Sequence, residues 1–235
     1  MNRISNLRAI SIIASAMSDL NNKVAYIGGA SVCLYSNDPV AEDLSESDNS
    51  DTRIEIACLA GLEEIRESLT KRGFTESSAT KVNCQFHYEG LVVDIMSTED
   101  EGWAQGNPWF TKGFVYLEQR RIGELKIIIP PVAYFLATKF FEFHKGGGKD
   151  PSASHDFEDI TYVLSNRTNL VEDIINYPEE VKQYLKEEFK FIIKGKFMKE
   201  AILKFLPYPV QAKLSKIIMA RLKKVVTAIQ ETYFK

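Results

Sequence analysis

Apolar residues recur along this chain in two rhythms, and the change between them falls near Pro130. Before it, short runs alternate in strand fashion. Val24-Ala25-Tyr26-Ile27 and Thr52 to Cys58 read as strands. Val82 to Tyr88 and Leu91 to Met96 flank Glu89-Gly90, which reads as a tight hairpin turn. Leu125 to Ile129 is a last strand before Pro130-Pro131. Helical spacing in this half covers Ser5 to Leu20 and Gly61 to Arg72, where Leu62, Ile65 and Leu69 share a face and Gly73 stops the helix. Ala30 to Tyr35 is helical in composition, whereas Ser36 to Asp51 and Glu99 to Phe114 read as loops. After Pro131 only the helical rhythm remains: Val132 to Phe143, Ser154 to Leu164, Asn169 to Asn176, Pro178 to Ile193, and Phe197 to Phe234 broken near Pro207 and Pro209. The expected class is α+β. A mixed β-sheet flanked by helices occupies residues 1–130, and a helical bundle occupies 131–235.

Composition narrows this picture only modestly. The 235 residues are 45% hydrophobic and 26% charged, ordinary values for a globular protein. The apolar runs are far too short to span a bilayer, so no membrane partner is expected. Residues 1–17 superficially imitate a signal peptide. However, Ser5, Asn6, Ser11 and Ser15 interrupt the apolar positions and Asp19 follows, so an amphipathic first helix and a cytoplasmic location are expected. Cys33, Cys58 and Cys84 are widely separated, form no CxxC pair, and read as buried thiols. The net charge of −3 hides an asymmetry: from Lys182 onward 13 Lys and Arg face 4 Glu. A solvated helical face explains that tail, and a phosphate-rich partner such as RNA explains it also.

Four places carry candidate chemistry. Gly28-Gly29 hands the first strand to a helical segment, where free backbone N–H groups and Ser31 can cap the turn or hold an anion. Asp94 interrupts an apolar strand, so it sits at an exposed end or holds a cation. His144-Lys145-Gly146-Gly147-Gly148-Lys149-Asp150 is too glycine-rich for a helix and lacks the Gly-Lys-Ser/Thr of a P-loop, which excludes an ATPase of that kind. Asp156 and Asp159 lie one turn apart near a helix start, where acids favour the helix dipole or serve a site.

In order, these motifs resemble the nucleotidyltransferase superfamily. The pattern is a strand, Gly28-Gly29-x-Ser31, an acidic segment, a hairpin with Asp94, Pro-Pro, a helix with Lys139, and His155-Asp156-x-x-Asp159-Ile160. It is most similar to the bacterial AbiEii-type toxin branch, from about Val24 to Arg167. The resemblance implies a metal-dependent enzyme that moves a nucleotide from a nucleoside triphosphate to a hydroxyl acceptor, which could be RNA, a protein or a small molecule. It implies that Gly28, Gly29 and Ser31 hold phosphates and that Lys139, Asp156 and Asp159 contact nucleotide and support the site. It further implies Mg2+ or Mn2+ on an Asp-x-Asp pair and a third Asp, the position of Asp94, and an antitoxin partner.

With Glu55-Ile56-Ala57 held in the family's register, the Asp-x-Asp pair falls on Asn49-Ser50-Asp51. Catalytic roles then fall to Asp51, Asp94 and Asn49, with metal on Asp51 and Asp94. Asn49 offers a neutral oxygen where magnesium prefers charge. The alternative is a degenerate, non-catalytic relative that binds a nucleotide or a partner. A metal-dependent hydrolase using the same acids is disfavoured, because the sequence has no histidine-rich cluster.

Overall fold

Helices and strands are interspersed through Ile129, after which every element among the described residues is helical. The computed structural model describes residues 3–37, 53–59, 61–79, 83–98, 106–148 and 150–231. The acidic segment with Asn49 and Asp51 lies outside them. The chain divides into two compact units: Met1–Leu34 with Glu42–Pro130, and Tyr35–Ala41 with Pro131–Lys235.

The first unit opens with helix α1 (Arg3–Met17), which buries Ile10, Ile13 and Met17. This agrees with an amphipathic first helix. A 3-10 turn leads into strand β1 (Val24–Ile27), whose four residues are all buried. Burying Tyr26 leaves its hydroxyl in need of a partner. It donates to Asn21 Oδ1 at 2.7 Å, and Asn21 in turn donates to the carbonyls of Ala14 and Ser18. Strands β2 (Arg53–Cys58), β3 (Thr75–Ala79), β4 (Asn83–Tyr88) and β5 (Leu91–Ser97) complete a five-stranded sheet in the order β1-β2-β5-β4-β3. The β2–β5 pair is parallel and the other three are antiparallel. Helix α2 (Leu62–Lys71), with Ile65 and Leu69 buried, supplies the crossover that a parallel pair requires. The expected mixed sheet is therefore present.

The β4–β5 hairpin turns on Glu89 (φ 48°) and Gly90 (φ 78°), both left-handed, as a two-residue turn between twisted strands demands. One element departs from the loop expected at Glu99 to Phe114, and one further strand follows it. Helix α3 (Pro108–Gly113) starts where Asn107 accepts from the Trp109 N–H and Pro108 fills a first-turn position that has no use for an N–H. Strand β6 (Glu118–Ile122) pairs antiparallel with β7 (Leu125–Ile129), and β7 lies against α1 and β1. The segment after Gly28 also differs from an α-helix: Gly29–Tyr35 winds as a 3-10 helix.

In the second unit, α4 (Val132–Lys145) packs on α5 (His155–Asn166) and α7 (Glu179–Lys194). Helix α9 (Gln211–Glu231) packs on α5, on α6 (Leu170–Ile175) and on α7, while α8 (Lys196–Phe205) contacts α5, α7, α9 and the short turn Pro151–Ala153. Leu136, Phe140, Phe157, Ile160, Leu185, Phe189, Leu222 and Val225 form its core. The break between α8 and α9 falls at Pro207 and Pro209, where the ring removes a donor and fixes φ. Cys33, Cys58 and Cys84 are buried and joined in no disulfide, as expected of structural thiols.

Candidate functional site

The sheet of the first unit shows which face is open. Along β2, β5 and β4 the positions Ile54, Ile56, Val93, Ile95, Cys84 and Phe86 are buried, while Arg53, Glu55, Asp94 and Gln85 on the alternate positions are not. Strand periodicity puts these four on one face. The register tightens the grouping: Ile27 pairs with Glu55, Glu55 with Asp94, and Asp94 with Gln85, so one row crosses four strands.

Gly28 closes β1 at the edge of that row, with φ at +72°. A Cβ built there would lie 1.4 Å from Glu55 Oε2 and 3.0 Å from Glu55 Cβ, so the position demands glycine for both space and backbone. The turn also closes on itself: Ser31 donates from its hydroxyl to the Gly28 carbonyl at 2.8 Å and from its N–H to the same oxygen at 3.3 Å. Ser31 is buried, and its hydroxyl oxygen retains only acceptor capacity. Gly29 begins the 3-10 helix.

Asp94 lies mid-strand with its side chain 17% exposed, rather than at the exposed end of β5. Both of its oxygens are engaged. Arg53 Nη1 lies 2.9 Å from Oδ2, and Gln85 Nε2 donates to Oδ1 at 3.0 Å. A guanidinium and an amide therefore balance a carboxylate that would otherwise be costly to enclose. Among the described residues no three His, Cys, Asp or Glu side chains come together as a metal site. Of the residues expected to hold magnesium, Asp94 alone is among the described residues, and Arg53 and Gln85 engage both of its oxygens.

Lys139, Asp156 and Asp159 form a second cluster, in the helical unit. Lys139 on α4 reaches Asp159 Oδ2 at 2.7 Å and Asp156 Oδ1 at 3.0 Å on α5. Its side chain is 13% exposed, that of Asp159 4%, and that of Asp156 31%. Ser154 caps α5 by accepting from the Phe157 N–H, which fixes the first turn that carries Asp156, with Asp159 following on the next turn. Burial alone would lower the Lys139 ammonium, but Asp159 and Asp156 more than reverse this and raise it. Burial lifts the Asp159 carboxyl to about 6 despite Lys139. One lysine cannot neutralise two carboxylates, so the triad carries an excess negative charge until a proton arrives. As built, it joins α4 to α5, and a phosphate would have to compete with both acids for the ammonium.

Sequence reasoning passed over Arg53 and Glu55 as site residues. Their shared strand parity was the available signal, and only the parallel pairing of β2 with β5 brings them beside Asp94. No family model matches the chain, and no curated protein does. Among solved structures, the crystal structure of a candidate nucleotidyltransferase from H. pylori is similar over 94% of this chain and 97% of that chain, at 9% identity and a TM-score of 0.44.

Proposed function

We propose that the protein binds a nucleoside triphosphate in its first unit, with the Gly28-Gly29 turn beside the phosphates, as a nucleotidyltransferase-like binding protein. One observation carries this reading: a glycine in left-handed conformation abuts Glu55, in a row that continues to Asp94 under the guanidinium of Arg53. The Glu55 carboxylate fills the space beside Gly28, and Arg53 on the same strand as Glu55 supplies the positive charge that a phosphate needs. The sequence motifs favour the same ligand.

Transfer of the nucleotide to a hydroxyl of RNA, protein or a small molecule is the second reading. Asp51 favours it, because it stands two positions before Arg53 and four before Glu55, on the same strand parity in sequence. Affiliation with the AbiEii-type branch and an antitoxin partner rest on the sequence motifs alone. The test is equilibrium binding of ATP, CTP, GTP and UTP, together with transfer of α-labelled nucleotide. Binding of at least one nucleotide, weakened by Asp94→Ala, supports the first reading. Labelled product lost in Asp51→Ala establishes the second. Failure of all four nucleotides to bind removes both.

A further inference from the structure

Among the described residues Arg53 is the cation that reaches the Glu55–Asp94 row, and the contact it makes is the contact a metal would make. Its Nη1 sits 2.9 Å from Asp94 Oδ2, while its own side chain is 57% exposed and Asp94 is 17% exposed. The guanidinium therefore lies on the solvent side of the carboxylate. Among the described residues Asp94 is its one ion-pair partner, which leaves further N–H donors of a five-donor group available. Gln85 holds the other Asp94 oxygen, so the carboxylate is fixed in place to receive it. Glu55, in register with Asp94, borders the same spot and has partners of its own.

We propose that Arg53 stands in for a divalent cation on this face: it neutralises Asp94 through one nitrogen and presents its remaining donors to a phosphate group, so that anion binding here requires no metal. The chemistry suits arginine, whose planar fork grips a carboxylate on one side and a phosphate on the other while never losing its proton. It also accounts for a mid-strand aspartate whose two oxygens are both satisfied internally. The inference about phosphate rests on the nucleotide reading above; the inference about the cation does not.

The test has two arms on the full-length chain. The first titrates Mn2+ against the wild type, Arg53→Gln, Arg53→Lys and Arg53→Gln/Asp94→Asn, following free Mn2+ by electron paramagnetic resonance, with circular dichroism confirming the fold of each. Removing the guanidinium is expected to expose Asp94 and strengthen Mn2+ binding about tenfold or more, Arg53→Lys to stay near wild type, and the double variant to lose the gain. Wild type binding Mn2+ as tightly as Arg53→Gln, or a gain that survives Asp94→Asn, overturns the proposal. The second arm measures ATP binding with magnesium and with EDTA. Wild-type affinity is expected to be equal in both within about twofold and to fall about tenfold in Arg53→Gln, since the charged hydrogen bonds to phosphate are lost. A strict magnesium requirement, or no effect of Arg53→Gln in EDTA, overturns the phosphate half. If no nucleotide binds under either condition, the nucleotide reading and the phosphate half fail together, and the Mn2+ arm alone decides the cation half.

Discussion

Replacing Lys139 by methionine removes the ammonium and keeps most of the buried stem, so it isolates the charge in the α4–α5 triad. Asp159, 4% exposed, is then left without its cation, and Asp156, 31% exposed, turns partly to water. Breaking a buried pair by deleting one partner costs about 3–5 kcal/mol. The exposure of Asp156 and the retained packing of the stem place the expected loss near the lower end, about 3 kcal/mol at pH 8. The sign with pH follows from Asp159. Its folded value, raised by burial to about 6 even beside Lys139, rises further when the lysine is gone. A carboxyl raised on folding imposes no penalty below its unfolded value near 3.8, and the full penalty above its folded value. The loss in Lys139→Met should therefore shrink at pH 5 and grow through pH 8. The assay is urea unfolding of the full chain followed by far-UV circular dichroism, which reports the helical second unit; both tryptophans, Trp103 and Trp109, precede Pro130 and report the first. Adding Asp159→Leu to Lys139→Met should recover most of the loss, because replacing a whole buried pair with apolar groups is often neutral. A loss under about 1 kcal/mol at pH 8, or one equal at pH 5 and pH 8, refutes this account of the triad.

Three further outcomes are expected. Asp159→Asn should remove the part of the wild-type stability that falls as pH rises from about 4 to about 6, seen as a flatter plot of urea midpoint against pH. Gly28→Ala should cost about 1–3 kcal/mol, read in the tryptophan transition, because alanine must hold a left-handed backbone and displace Glu55. Ellman's reagent should find no rapidly reacting thiol in the native protein and three in urea, since Cys33, Cys58 and Cys84 are all buried.

How far the sequence revealed the fold depended on where burial left a mark. Strands β2, β4 and β5 alternate because one face is buried, and the helices after Pro131 repeat at helical spacing for the same reason. Strand β3, Thr-Glu-Ser-Ser-Ala, lies at the sheet edge with a register shift between Glu76 and Ser78, and strand β6, Glu-Gln-Arg-Arg-Ile, belongs to a two-stranded ribbon. Neither needs an apolar face, so neither carries the rhythm. Helix α3 was announced by Asn107-Pro108, a cap signal hidden among glycines and tryptophans. Gly28, Ser31, Asp94, Lys139, Asp156 and Asp159 were all visible as residue types at meaningful spacings. Their partners were not. That Lys139 is held by two acids and Asp94 by Arg53 and Gln85 depends on contacts across 17, 20, 41 and 9 positions, which strand register and helix packing set.

Hydrogen–deuterium exchange with and without saturating ATP tests the central claim most directly. A triphosphate beside the Gly28-Gly29 turn and Arg53 should slow exchange in the peptides covering Val24 to Tyr35 and Arg53 to Cys58. Protection confined to peptides after Pro131, or no protection at all, would contradict it.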